Sequence, residues 1–241
     1  MRAKPVNASR REFLKTSAMA GGGLIIGFTF PGTARLAQAA GKEAEMSAYL
    51  RIAPNNAITV VCGLSEMGQG VHTAIPMLIA EELDADWSRV RVEQAPVDKA
   101  FANPIFGMQA TGGSTSVRGH WEPMRKAGAA ARAMLIAAAA DTWKADAADC
   151  RTEKGMVIHK SGKKLSYGRL AEKAAKLAPP KDVKLKDPTQ FSLLGKSGTK
   201  RLDTAAKSTG KAKYGLDVYL PGMLTAVIAF PLFFNLIAFY Y

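Results

Sequence analysis

The feature that most constrains this chain is a run of glycines and polar residues, Gly63-Leu64-Ser65-Glu66-Met67-Gly68-Gln69-Gly70-Val71-His72-Thr73, set between two apolar stretches. Upstream, Ile58 to Cys62 has the β-branched composition of a buried strand. Downstream, Thr73 is expected to cap a helix that runs to Leu83, with Pro76 in the first turn, where its missing N–H leaves nothing unpaired. Three glycines let such a loop reach positive φ and approach a ligand closely, and Gln69 offers both an amide donor and an acceptor. Glycine spacing alone leaves two readings open, a binding loop and an ordinary strand-to-helix turn.

Ahead of this loop lies an address. Ser9-Arg10-Arg11-Glu12-Phe13-Leu14-Lys15, the small and apolar run Ala18 to Phe30, and Ala37-Gln38-Ala39 follow one another as charged, hydrophobic and cleavable regions. Residues 1–39 are therefore expected to be a twin-arginine signal peptide, cleaved after Ala39, that takes the folded chain through the twin-arginine translocase into the periplasm. Gly21-Gly22-Gly23, Gly27 and Pro31 leave its apolar run too short and broken to span a bilayer. The usual passengers of this route carry a cofactor acquired in the cytoplasm, so the address itself favours a redox cofactor.

The mature chain is expected to open with a β-hairpin, Tyr49 to Ala53 and Ile58 to Cys62 around Pro54-Asn55-Asn56. Val90 to Gln94 alternates like a half-exposed strand, and residues 95 to 110 read as irregular. A second informative stretch follows, Gln109-Ala110-Thr111-Gly112-Gly113-Ser114-Thr115-Ser116, ahead of an alanine-rich helix expected from about Trp121 to Ala145. Hydroxyls and glycine N–H groups gathered before a helix suit an anion such as phosphate. Pro123 argues that the helix starts near Glu122, which would separate loop from helix end. The alternative is a plain cap and turn. Further on, Cys150 to Ser166 reads as short strands turned at Lys154-Gly155 and Ser161-Gly162, and Ser166 is expected to cap a helix from Tyr167 to Leu177. Residues 181 to 201 are lysine-rich and read as a linker over the surface.

Charge and cysteine content exclude several classes. Thirty-three basic residues against 20 acidic ones give +13, but the lysines concentrate between Lys154 and Lys213 without interleaved aromatics or a recognition helix. A solvated basic face is expected, and no nucleic acid partner. Cys62 and Cys150 are the two cysteines, too few and too far apart to hold zinc or an iron–sulfur cluster, so any cluster must sit on another chain.

Three stretches together carry a family resemblance. The Glu66-Met67-Gly68-Gln69-Gly70-x-x-Thr73 loop, the Thr111-Gly112-Gly113-Ser114-Thr115-Ser116 loop and the segment Arg201 to Ala229 resemble the molybdopterin-binding large subunits of the xanthine dehydrogenase and aldehyde oxidase family, most of all the isoquinoline 1-oxidoreductase β-subunit type. The resemblance implies an α+β chain: a partial molybdopterin-binding domain over 47–178, a linker over 179–200, and the opening strands of an α/β hammerhead domain over 201–229. It implies that Gln69 and the amides of Gly68 and Gly70 contact the pterin near molybdenum. It also implies that Gly112, Gly113, Ser114, Thr115 and Ser116 hold the phosphates of a molybdopterin cytosine dinucleotide. Enzymes of this family hydroxylate a carbon next to nitrogen, or an aldehyde carbon, with oxygen from water. Electrons leave through iron–sulfur clusters on a small partner subunit toward an acceptor such as a cytochrome.

Two departures bear on activity. The family's catalytic glutamate lies far toward the C-terminus of longer chains, so no catalytic base and no metal ligand is assigned here, and Glu66 is expected to be structural. The tail from Phe230 to Tyr241 abandons the family pattern and reads as an aberrant apolar segment, expected from a shifted frame or truncated gene. The expectation is an N-terminal fragment of an exported molybdenum hydroxylase, inactive by itself. The alternatives are a non-catalytic exported binding module and a periplasmic domain anchored by its apolar C-terminal run.

Overall fold

The computed structural model describes residues 24–27 and 48–226. The twin-arginine motif, the cleavage site and the apolar tail lie outside the described residues. Inside the expected signal region, Leu24–Gly27 forms strand β1, paired antiparallel with β2 (Ala48–Ile52) in the register Leu24↔Ile52 and Ile26↔Leu50. A strand there supplies the backbone partners that the β2 edge would otherwise lack.

The hairpin forms as expected. β2 pairs with β3 (Ile58–Cys62), Leu50 facing Val60 and Ile52 facing Ile58. Asn56 takes the turn's positive φ of 70°. Its amide does more than turn the chain: Oδ1 accepts from Gly168 N at 2.9 Å and Nδ2 donates to Gly155 O at 3.2 Å. Gly168 is confined there, since a Cβ would lie 2.3 Å from Pro54 O.

Helix α1 (Val71–Leu83) then crosses over to β4 (Val90–Gln94), which lies parallel to β3 in the register Ile58↔Val90 to Cys62↔Gln94. The sheet order is β1-β2-β3-β4. A parallel pair needs such a crossover, and the apolar face of α1 (Ile75, Leu78, Ile79, Leu83, all almost fully buried) supplies it with a core. α2 (Ser116–Trp143) packs on α1, and its small residues Ala127, Ala131, Ala138 and Ala139 lie fully buried in the same core. The helices touch at Gly128, where a Cβ would lie 2.4 Å from Ile79 O. A second, antiparallel sheet of β5 (Cys150–Glu153), β6 (Met156–His159) and β7 (Lys164–Ser166) leads into α3 (Tyr167–Ala174). Ser166 stands at the N-cap without a side-chain bond, and the Tyr167 hydroxyl donates to Leu83 O at 2.6 Å.

The stretch expected to be a linker does cross the surface, but it is tied down. Glu81 and Glu82 end α1 almost fully buried. Glu81 accepts from the backbone N–H groups of Ser192, Leu193 and Leu194 at 2.7 to 3.1 Å. Glu82 accepts from Lys186 N, and from the Arg125 guanidinium at 2.6 Å. Arg125 in turn donates to Lys186 O at 2.6 Å, with its guanidinium carbon 5.3 Å from the Trp121 ring centre and 5.1 Å from that of Phe191. Two buried acids thus bind a strap over residues 186–194, because a buried carboxylate must have its lone pairs filled.

Residues 204 onward form a second unit. Its described part holds a short helix α4 (Thr204–Ser208) and a helical turn at Gly215–Asp217. Of the strands expected from Tyr214 to Ala229, residues 214–226, the described part of that stretch, hold none, and Leu216 and Leu224 are more than nine-tenths exposed. Isolated strands are not stable without a neighbour to complete their hydrogen bonds. The mixed helix-and-strand class stands as expected.

Candidate functional site

The first glycine loop leaves β3 under tight constraint. A Cβ on Gly63 would lie 2.7 Å from Phe101 O, so only glycine passes. Beyond it, one carboxylate organises everything. Glu66 Oε1 accepts from Gly68 N and Gly70 N, both at 2.9 Å, and Oε2 accepts from His72 N at 3.0 Å. Gly68 and Gly70, at φ 103° and 88°, turn their amides toward it. The expected cap is corrected here. α1 begins at Val71 with Gly70 in the N-cap position, and the N-terminal amides are filled by Glu66 rather than by Thr73. A carboxylate serves better than a hydroxyl because it accepts several N–H groups and meets the positive end of the helix. Pro76 consequently sits inside the helix, beyond its first turn.

The same geometry revises what the loop can offer a ligand. The Gly68 and Gly70 amides, expected to face a pterin, are occupied by Glu66. Gln69 is folded back on the loop, with Oε1 accepting from Met67 N at 2.6 Å and Nε2 donating to Ser65 O at 2.8 Å. An amide has two N–H groups and two lone pairs, so one of each remains for a ligand, and the side chain is exposed.

The second loop reaches α2 directly. Pro123, expected to delay the helix, lies within it, and the helix starts at Ser116. The burial of Met124 and Ala127 in the core and the contact of Gly128 with α1 outweigh the bond Pro123 cannot make. Before the helix, Thr115 N returns to Gly112 O at 3.1 Å, closing a turn with Gly113 and Ser114 both at positive φ, 57° and 54°. Thr115 is buried and turned inward, its hydroxyl donating to Gly112 O and accepting from Asn103 Nδ2, both at 2.8 Å. It holds the loop's shape and presents nothing outward. Gly112, Gly113 and Ser114 are exposed, and among the described residues no partner takes their N–H groups. Thr115 makes no side-chain cap, and Ser116 is half-buried at the first helical position. An anion would meet open donors here.

The fold brings the two loops together. Ser65 N donates to Thr111 Oγ1 at 2.8 Å. Their base is braced by residues the sequence did not single out. His72 Nε2 lies 3.0 Å from both Leu64 O and Gln94 Oε1, and Gln94 Nε2 donates to Cys62 O at 3.2 Å. Asn103, fully buried, donates to Ala110 O and Thr115 Oγ1 and accepts from Ile105 N. The sequence reads residues 95 to 110 only as irregular, and nothing local announces this role for Asn103. Met67, Ile105, Phe106 and Met108 are exposed on these loops, with Phe106 beside Gly113 and Ile105 beside Gly119.

Titration at the site follows burial. Burial pushes the Cys62 thiol up to about 11, helped by the Glu66 charge and opposed by the backbone at Leu64. Burial likewise lowers His120 below the usual histidine range, although its Nδ1 meets Ser116 O at 2.8 Å. Among the described residues no three histidine, cysteine or acidic side chains are grouped as they would be around a metal ion.

Comparison with known proteins places these loops in context. Residues 2–218 match the molybdopterin cofactor-binding domain. The chain is 36% identical to the isoquinoline 1-oxidoreductase β-subunit of Brevundimonas diminuta over 75% of its own length and 28% of that protein. It is 34% identical to membrane-bound aldehyde dehydrogenase (pyrroloquinoline-quinone) of Gluconacetobacter polyoxogenes, covering 92% of this chain and 29% of that one. A nicotinate dehydrogenase subunit of Pseudomonas putida is 31% identical over 76% of this chain and 15% of its own. The chain therefore spans less than a third of the length of each of these relatives.

Proposed function

Because this chain belongs to the molybdopterin cofactor-binding domain family, we propose that its two joined loops hold that cofactor for an exported molybdenum hydroxylase large subunit. The observation that carries the reading is the pairing of Ser65 with Thr111, which sets a loop with a spare amide edge beside a loop with open N–H groups at a helix start. A pterin and a phosphate need those two things side by side. Gln69 would read the pterin edge, and the N–H groups of Gly112, Gly113 and Ser114, with the Ser114 and Ser116 hydroxyls, would receive phosphate. The dinucleotide form of the cofactor, with cytosine, follows from the same resemblance.

When bound, the group supplies the oxidation of a carbon beside nitrogen, or of an aldehyde carbon, with oxygen taken from water. The residues of this chain bind and orient it. That chemistry belongs to the whole assembly, with an iron–sulfur small subunit and an acceptor such as a cytochrome taking the electrons. Export by the twin-arginine translocase to the periplasm completes the proposal, and Arg10→Lys with Arg11→Lys should keep a tagged chain in the cytoplasm.

The cofactor reading is tested by expressing the chain in a molybdopterin-producing bacterium and measuring molybdenum and pterin on the folded protein. Wild type should carry both. Ser114→Asp, which sets a carboxylate against the phosphates, should lose most of each. Equal loading of the two proteins would return the second loop to a plain helix cap.

A further inference from the structure

The strap that Glu81 and Glu82 hold at the C-terminal end of α1 continues to the other end of the same helix. There Arg201 Nη1 donates to Gly68 O at 2.9 Å and Nη2 to Glu66 Oε1 at 3.1 Å. Asp203 orients the guanidinium from behind, accepting from Nε at 2.9 Å and Nη2 at 2.8 Å. Next to it, Leu202 N donates to Thr73 Oγ1 at 3.0 Å, the use to which the expected cap residue is actually put. Three hydrogen bonds therefore converge on the first glycine loop and the first turn of α1, from residues more than a hundred positions along the chain.

We propose that Arg201 is a positioning residue that fixes the Gly68-Gln69-Gly70 loop in the conformation that presents Gln69. Glu66 gathers the amides of Gly68, Gly70 and His72, and its side chain is largely buried. Arg201 sets a guanidinium against that carboxylate and binds the Gly68 carbonyl as well. A guanidinium reaches both acceptors at once, while an ammonium is a point charge and reaches one well. Gly70 stands close enough that a Cβ would come 3.8 Å from the guanidinium, so the loop passes directly beneath it. The claim that the fixed loop serves a cofactor rests on the reading above; the claim that Arg201 fixes it does not.

The test uses the full chain with Arg201→Ala and Arg201→Lys. Amide hydrogen exchange at Gly68, Gly70 and His72 should quicken about tenfold or more in Arg201→Ala, while α2 and the strap at 192–194 keep their protection. Arg201→Lys should recover part of that protection through Glu66. Uniformly faster exchange everywhere, or unchanged exchange at the loop, would overturn the proposal. Molybdenum retained after dialysis of the loaded chain separates the two claims. Loss in Arg201→Ala, with partial recovery in Arg201→Lys at unchanged melting temperature, supports positioning for the cofactor. A loosened loop with full retention overturns that role and leaves the contact itself. A wild-type chain that never holds molybdenum sinks the cofactor reading, and the exchange result still decides on Arg201.

Discussion

The Arg125 guanidinium meets the Glu82 carboxylate at 2.6 Å with both side chains out of solvent, the acid fully so. This pair joins α2 to α1 and, through Lys186, both helices to the strap. Removing one partner strands a buried charge. Arg125→Ala or Glu82→Ala should each cost about 3–5 kcal/mol in urea denaturation, and the double replacement Arg125→Met with Glu82→Leu should cost clearly less than their sum. Additive losses would mean that the pair is not coupled.

Acid should loosen the strap before the core. Burial works to raise the Glu81 pKa, but the N–H groups of Leu194, Ser192 and Leu193 and the Lys186 ammonium outweigh it, so the carboxyl is held below its ordinary 4.5. A lowered folded value means the unfolded chain binds the proton first. The stabilisation is therefore complete above about pH 4.5 and is lost as pH falls through the folded value. Hydrogen exchange at residues 192–194 should rise across that window. In Glu81→Gln this pH dependence should flatten; an unchanged slope would assign it to another group.

Helix contact at Gly128 and loop exposure at Gly112 predict opposite outcomes for one substitution. Gly128→Ala drives a methyl into Ile79 O and should cost about 1–3 kcal/mol as the helices shift apart. Gly112→Ala points into open space without a left-handed φ and should stay within about 0.5 kcal/mol of wild type. Chemical denaturation of the two variants checks both.

The two thiols should differ in reactivity. Cys62 is buried with its pKa near 11, whereas Cys150 is half-exposed with a thiol raised, chiefly by burial and then by the charges of Asp149 and Asp146. A thiol reagent at pH 8 should label Cys150 slowly in the native chain and Cys62 only on unfolding. Rapid labelling of Cys62 would show that the base of the first loop opens.

Local chemistry was legible without the structure. The apolar β-branched run Ile58 to Cys62, the alternation of Val90 to Gln94 and the Pro54-Asn55-Asn56 turn stated their own conformations, because strand periodicity and turn preference act over a few residues. The two glycine loops were legible as candidates for the same reason, and their resemblance named the family. Three features waited for tertiary structure. Pro123 reads locally as a helix boundary, yet packing of α2 on α1 carries the helix back to Ser116 and joins the second loop to its N-terminus. Nothing in the sequence marks Glu81 and Glu82 as buried, yet they are, because backbone N–H groups from residues 186–194, more than a hundred positions away, fill their lone pairs. Glu66 and Arg201 show no relation in sequence, since an ion pair depends on where the chain returns and not on neighbouring residues. Propensity and pattern determine the elements; which amides stay open for a ligand is decided only when distant polar groups compete for them.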